Sequence, residues 1–191
     1  TSGDISAVVS LFADVESAPL SIHQLTARGA QAGTPVGSWF GPTTWARATA
    51  PALEPHLKCV VCDGGVIYRG AVESFPVLLL LPLRLGIDCV AAVHRPALSA
   101  VLKLPSSVGF VGGTPRHSLY FVGARDGDTL LCMDPHTVQP ALRAGDPLTP
   151  APEPTPVDVA KIDPSLCLGF YCRDAEELAG LSAALDGMQD T

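Results

Sequence analysis

The chain has 191 residues, of which 47% are hydrophobic and 16% charged, so it is long and apolar enough to bury one globular core. Its 12 basic and 19 acidic side chains give a net charge of -7 without a basic cluster, which argues against nucleic-acid binding. The longest apolar run, residues 77–83, contains Pro82 and is shorter than the roughly 20 residues that a membrane-spanning helix needs. These features exclude a membrane span and favour a globular domain.

Three helices are predicted before residue 57. Apolar residues recur at helical spacing through residues 4–13, with Asp4 as N-cap. A second helix runs from Ser21 to Gly29, where glycine favours a stop, and a third opens at Pro42 and ends near residue 53. The first part of the chain is therefore expected to be helical.

The pattern then changes to short apolar segments typical of strands. Seven strands are predicted, at residues 58–62, 65–69, 77–81, 107–110, 118–124, 129–134 and 166–172. The polar residues 125–128 between the fifth and sixth strands predict a hairpin, and residues 89–102 predict a crossover helix despite Pro96. Residues 143–158 are rich in proline and predict a loop without regular structure.

A last helix is predicted from Asp174, as its cap, to about residue 185. Helices, then strands, then a strand and a helix indicate a single α+β domain over residues 1–191 with a mainly antiparallel sheet flanked by helices. Because the chain begins at Thr1, we expect this domain to be incomplete at its N-terminus.

The six cysteines predict reduced thiols in a cytoplasmic protein, because a chain this apolar does not need disulfides. Cys89, Cys132 and Cys167 lie in apolar runs and are expected to be buried. Cys59 and Cys62 form one CxxC pair, for which a zinc site and a redox pair are the alternatives to two packed thiols. Packed thiols are favoured, and neither a metal nor a cofactor is expected, because no second ligand pair has matching spacing.

The segment most suggestive of chemistry ends the sixth predicted strand. Asp134 and His136 are two positions apart, so they can lie on one side of the chain where the strand ends. The carboxylate can then hold the imidazole Nδ1 and leave Nε2 as a general base. The alternative is a turn at Asp134 with a solvated histidine.

At this point the chain resembles the autophagy-related protein 4 cysteine proteases, or autophagins, a papain-like family. Seven segments carry the resemblance in order over nearly the whole chain: SIHQ (21–24), GSWFGP (37–42), LPLRLG (81–86), GFVGGTP (109–115), YFVG (120–123), DPHTVQP (134–140) and DPSLCLGFYC (163–172). The resemblance implies a papain-like fold and cleavage after a C-terminal glycine of a ubiquitin-like autophagy modifier. It also implies release of that modifier from phosphatidylethanolamine.

The resemblance implies that Asp134 and His136 are the catalytic pair. It also implies that Trp39 is the tryptophan that covers the active-site groove. The loop that lifts to admit the modifier's tail corresponds to residues 112–115 (Gly112, Gly113, Thr114 and Pro115), with Arg116 as an extension. From the residues alone, Trp39 is equally a packing anchor. Ser21 and His23 are expected to be structural. His117 could line the groove, although a solvated loop histidine is the favoured interpretation.

The family's nucleophilic cysteine lies in a tryptophan-glycine-cysteine stretch that is absent here. The sequence therefore predicts the base half of a Cys-His-Asp apparatus, with the nucleophile upstream and these 191 residues inactive alone. Two hypotheses stay open: part of a protease that acts on the free and lipid-conjugated modifier, or a binding protein that has lost its nucleophile. A CxxC redox domain is a third, weaker interpretation.

Overall fold

A computed structural model describes residues 5–125, 128–141, 143, 146 and 152–188. The helices are α1 (Ile5–Leu11), α2 (Ile22–Gln31), α3 (Pro42–Leu53), α4 (Arg95–Val101) and α5 (Ala175–Gly187). The strands are β1 (Lys58–Val61), β2 (Val77–Arg84), β3 (Ser107–Thr114), β4 (His117–Ala124), β5 (Thr129–Met133), β6 (Thr155–Asp158) and β7 (Ser165–Cys172). They form one sheet in the order β1-β2-β7-β3-β4-β5-β6, in which only the β1–β2 pairing is parallel. This mixed α+β architecture, with a mostly antiparallel sheet flanked by helices, confirms the predicted fold class.

The helix start signals in the sequence are confirmed. The Ser21 hydroxyl caps α2 by accepting the Gln24 N–H, and Asp174 caps α5 by accepting the Glu177 N–H. Pro42 lies in the first turn of α3, where its missing N–H costs no hydrogen bond. The predicted cap of α1, Asp4, lies outside the described residues. No helix in the described ranges has the length and apolar character needed to cross a bilayer.

Two helix predictions are wrong in extent. Gly29 does not end α2, which continues to Gln31, because the glycine instead allows the Phe40 ring to pack where a Cβ would stand. Residues 89–102 do not form one crossover helix. Pro96 stands at the start of α4 rather than inside a longer helix, because it has no N–H to donate to a preceding turn.

Two strand predictions also need correction. Residues 65–69 are not a strand. They run from the last residue of one 3₁₀ turn, Asp63–Gly65, to the first residue of another, Arg69–Ala71, and Gly64 and Gly65 adopt φ of 71° and 73°. The proline-rich segment 143–158 is not all loop, because its last four residues form β6 and pair with β5. As the last strand in the sheet order, β6 tolerates Pro156. β4 and β5 are antiparallel neighbours, as predicted, although residues 126–127 between them lie outside the described residues.

The sheet is covered on both faces. A large cluster that includes Leu79, Phe110, Phe121 and Phe170 contains the buried residues of α4 and α5. A smaller cluster comprises Ala46, Ala50, Cys59, Leu80 and Cys167, which places α3 over the β1–β2–β7 part of the sheet. Because alternate strand residues face opposite sides, this burial fixes the register of the central strands and hence the position of their ends.

Candidate active site

Asp134 and His136 lie just beyond the end of β5. One carboxylate oxygen, Oδ1, accepts the His136 backbone N–H at 2.9 Å and lies 2.7 Å from the His136 Nδ1. The contact predicted from their spacing is present, but a turn produces it, because β5 ends at Met133 and neither residue is in the strand. Both side chains are partly exposed, 38% for Asp134 and 47% for His136, so the imidazole can reach a substrate.

A third side chain, His117, completes this cluster. Its Nε2 lies 2.9 Å from the other Asp134 oxygen, Oδ2, and its ring stacks on His136 with centroids 4.4 Å apart. The favoured expectation of a solvated loop residue is wrong, since His117 is the first residue of β4, whereas the alternative agrees with its place in the lining of the cleft described below. Tyr120 pairs with Met133 across β4 and β5, and continuing that register by three residues brings His117 opposite His136. The predicted hairpin of these two strands could therefore have indicated that His117 lies near His136.

These contacts keep the Asp134 carboxylate charged. The hydrogen bond from the His136 backbone N–H, followed by those from the two imidazoles, lowers the pKa of Asp134 from 3.8 to about 2. A charged carboxylate only accepts hydrogen bonds, so both ring nitrogens that face it carry protons. His136 is thereby held as the tautomer whose Nε2 is free to accept a proton.

We expect Asp134 to titrate near pH 2 in an NMR measurement of its side-chain carboxyl resonance. Because the folded-state pKa lies below the ordinary value, the stabilisation from this group is complete above about pH 4 and is lost as the pH falls through about 2. In a His136→Ala variant the backbone N–H remains, so the pKa should rise only part of the way to 3.8. Titration of the wild-type carboxyl near its ordinary value would contradict this network.

A cleft of about 230 Å³ lies beside the cluster. Trp39, Gly112, Gly113, Thr114 and His117 all line it. Trp39 is 62% exposed, which fits a groove wall and not a buried packing anchor. Trp39 and residues 112–114 thus line one cleft. His117 lines the same cleft and also contacts the Asp134 carboxylate.

The segment predicted as a loop, residues 112–115, is mostly strand. Gly112, Gly113 and Thr114 belong to β3, and the connection to β4 is only Pro115 and Arg116. Gly113 pairs with Ser118 so closely that a Cβ would stand 2.1 Å from the His117 carbonyl oxygen. Pro115 therefore lies at a hairpin tip, beside Arg116 with φ of 66°, and not along the cleft wall.

None of the six thiols has the environment of a nucleophile. All are free, and only Cys89 is not buried. Burial raises the pKa of Cys59 and Cys167 to about 12 and that of Cys62 to about 11, so these thiols are protonated at neutral pH. Cys132 lies two residues before Asp134 but contacts Thr155, and no cysteine in the described part of the chain bonds to His136.

The CxxC alternatives are contradicted by the same structure. Cys59 packs in the small cluster with α3, whereas Cys62 packs in the large cluster with α4 and α5. A redox pair or zinc ligand needs accessible, readily ionised thiols on one side. Packed thiols, the favoured prediction, are confirmed for this pair. Cys132 and Cys167 are buried as predicted, whereas Cys89 is half-buried.

An imidazole oriented by a carboxylate at the end of a strand, in a mostly antiparallel sheet flanked by helices, has the base geometry of papain-like cysteine peptidases. The family model for the peptidase C54 catalytic domain matches residues 2–184, and the chain belongs to this family. It is 36% identical over 188 residues to a probable cysteine protease ATG4 of Meyerozyma guilliermondii, covering 94% of this chain and 46% of that protein. The cysteine protease atg4 of Emericella nidulans is 36% identical over 194 residues, covering 89% and 48%.

A vertebrate relative gives the same result. The cysteine protease ATG4D of Xenopus laevis is 30% identical over 196 residues, covering 89% of this chain and 42% of that protein. The chain therefore spans less than half the length of each of these relatives.

Proposed function

We propose that the protein containing this chain is a cysteine endopeptidase that cuts after the C-terminal glycine of a ubiquitin-like autophagy modifier. The same activity would release the modifier from phosphatidylethanolamine. The observation that carries the proposal is the contact between Asp134 and His136, on a chain of the C54 family. We take residues 1–191 as one part of that catalytic domain, in a cytoplasmic protein, which the six free cysteines support.

His136 is the base in this mechanism. Its Nε2 takes the proton of the nucleophilic thiol, and the Asp134 carboxylate stabilises the imidazolium that forms. The thiolate attacks the carbonyl carbon of the modifier's glycine, and the imidazolium returns the proton to the leaving amine. Water then hydrolyses the acyl-enzyme with His136 again as the base. No cofactor takes part in these steps.

A segment preceding this chain in the longer protein would supply the thiol. An apolar cavity of about 520 Å³ between the N-terminal helices and the sheet supports this proposal. Pro135, between the two catalytic candidates, lines the cavity, so it opens beside the base. Thr49 also lines it, and its buried hydroxyl has no hydrogen-bond partner within the described residues. A further element packed here would cover the apolar lining and supply that partner.

The cleft between Trp39 and residues 112–114 is the proposed path of the modifier's tail. Gly112 and Gly113 line it without side chains, and the exposed Trp39 indole stands at its edge. Such a narrow cleft favours a glycine-ended tail by exclusion of larger residues. Pro115, at the hairpin tip, would move with the strand ends when the cleft widens.

The experiment uses the longer natural protein and modifier–reporter fusions that differ only in the residue before the cut. We expect cleavage of the glycine fusion, loss of cleavage when that glycine is replaced by valine, and no cleavage by residues 1–191 alone. A lipid-conjugated modifier on vesicles tests the release reaction. Equal cleavage of both fusions would contradict the glycine cleft, and activity of the isolated chain would contradict an external nucleophile.

A modifier-binding protein without peptidase activity is the second candidate. It is favoured by one observation: the cleft and the base are present while the described chain holds no accessible thiol next to His136. The same experiment separates the two. Binding of the modifier without cleavage by the longer protein would select the binding function.

A further inference from the structure

We propose that His117, Asp134 and His136 form a binding site for a divalent transition-metal ion of the zinc class. Each side chain offers one ligand atom, and these atoms all lie within 4.8 Å of one another. The cluster comes from two strand ends, with His117 at the start of β4 and the other two residues after β5. The sheet register, and not chance surface proximity, therefore holds the three donors together.

The distances are close to those of a metal site. In a tetrahedral zinc site with bonds of about 2.0–2.2 Å, neighbouring ligand atoms lie about 3.3 Å apart. Here Nδ1 of His136 and Nε2 of His117 lie 2.7 and 2.9 Å from the two oxygens of Asp134. These contacts are shorter because each holds a proton. To hold one ion, these two contacts lengthen by about half an ångström, and the two imidazole nitrogens, which lie within 4.8 Å of each other, come to about the same separation.

The donor set selects the class of ion. Two imidazole nitrogens and one carboxylate oxygen suit zinc and its neighbours, whereas calcium and magnesium prefer oxygen ligands alone. Three protein ligands also leave a fourth position open to solvent. The side chains are between 38% and 47% exposed, so an ion can enter without any opening of the fold.

The ion would switch off the base, a consequence that rests on the proposed peptidase function. A neutral imidazole bound to metal through Nδ1 carries its remaining proton on Nε2. His136 in that state has no lone pair left for the proton of a thiol, and Asp134 no longer orients it. Metal binding and proton transfer are therefore mutually exclusive at His136, and removal of the ion restores the base.

A second histidine–aspartate pair provides the control. His23 lies 3.0 Å from Asp14, with exposure similar to that of the cluster, but no third ligand joins this pair among the residues that the structure describes. The His23–Asp14 pair therefore offers one imidazole and one carboxylate, one ligand fewer than the cluster. Zinc sites need at least three protein ligands, so this pair should not hold the ion.

The test is calorimetric titration of Zn²⁺ into the longer protein in a Cys89→Ser background, since Cys89 is the only cysteine of residues 1–191 that is not buried. We expect one ion per chain, at least about tenfold weaker binding in His117→Ser, and unchanged binding in His23→Ser. Circular dichroism checks that each variant folds. If His117→Ser does not fold, His117→Gln keeps a hydrogen bond to Asp134 but removes the imidazole ligand. No binding, or equal binding in wild type and the His117 variant, would overturn the proposal.

A second measurement follows cleavage by the longer protein as Zn²⁺ is added, relative to each variant's own metal-free rate. Inhibition should need a higher Zn²⁺ concentration in the His117→Ser variant than in wild type. Binding is measured without substrate, so the two proposals can fail separately. A metal-binding chain from a protein that never cleaves would refute only the peptidase, whereas cleavage without metal binding would refute only the metal site.

Discussion

Replacement of His136 by alanine is expected to lower kcat for cleavage of the modifier–reporter fusion by about a thousandfold in the longer protein. The loss follows from chemistry, because the thiol then has no base to take its proton and the leaving amine has no acid. The fold should persist, since the His136 side chain is 47% exposed and lies outside the core clusters. Stopped-time assays of product, together with a thermal unfolding curve, measure both effects.

The matched control for this prediction is His23→Ala. His23 also pairs with an aspartate, Asp14, and has similar exposure, but it lies on α2, and neither residue lines the cleft. We expect wild-type turnover from this variant. Wild-type turnover by the His136→Ala protein would remove His136 from the mechanism, and a collapsed unfolding curve would make its role structural.

The second large effect is expected at Gly113. An alanine there would place its Cβ 2.1 Å from the His117 carbonyl oxygen and 3.0 Å from the Ser118 Cα. Both are backbone atoms of the paired strand and cannot rotate away, so β3 and β4 must separate locally. We expect Gly113→Ala to lower the free energy of unfolding by about 3 kcal/mol, measured by chemical denaturation. His117 would move with the strand, so cleavage should fall as well.

Gly180→Ala provides the control for that substitution. Gly180 lies in α5 with nothing within 4 Å of the added Cβ, so alanine should raise the free energy of unfolding by about 0.5–1 kcal/mol. The two variants add the same methyl group, but only the one at Gly113 meets backbone atoms of a neighbouring strand. Equal stability of both variants would contradict the close approach of β3 to β4.

Local features were predictable from the sequence because short-range geometry decides them. The caps Ser21 and Asp174 act within one helical turn, and the Asp134–His136 contact spans two residues. The same reasoning misjudged segments whose conformation depends on neighbours. Gly112 and Gly113 have the composition of a loop, but they pair with Leu119 and Ser118, and at Gly113 the two strands approach so closely that only a residue without a side chain fits.

Proline caused two of the errors. β6 was missed because the proline-rich segment that contains it suggests a loop, whereas an edge strand pairs on one side only and tolerates Pro156. α4 is shorter than predicted because Pro96 ends any preceding helical hydrogen bonding. In both places the proline was visible in the sequence, but its effect depended on whether it lay in an edge strand or at the start of a helix.

The sequence alone determined the fold class, the family and the aspartate–histidine pair, because these depend on local spacing and ordered motifs. The tertiary structure decided which distant residues join that pair. His117 reaches Asp134 across 17 positions only through the register of β4 and β5, and Trp39 meets residues 112–114 only where the chain before α3 packs beside the end of β3. Burial of apolar surface sets that register and packing, and it acts over the whole sheet at once.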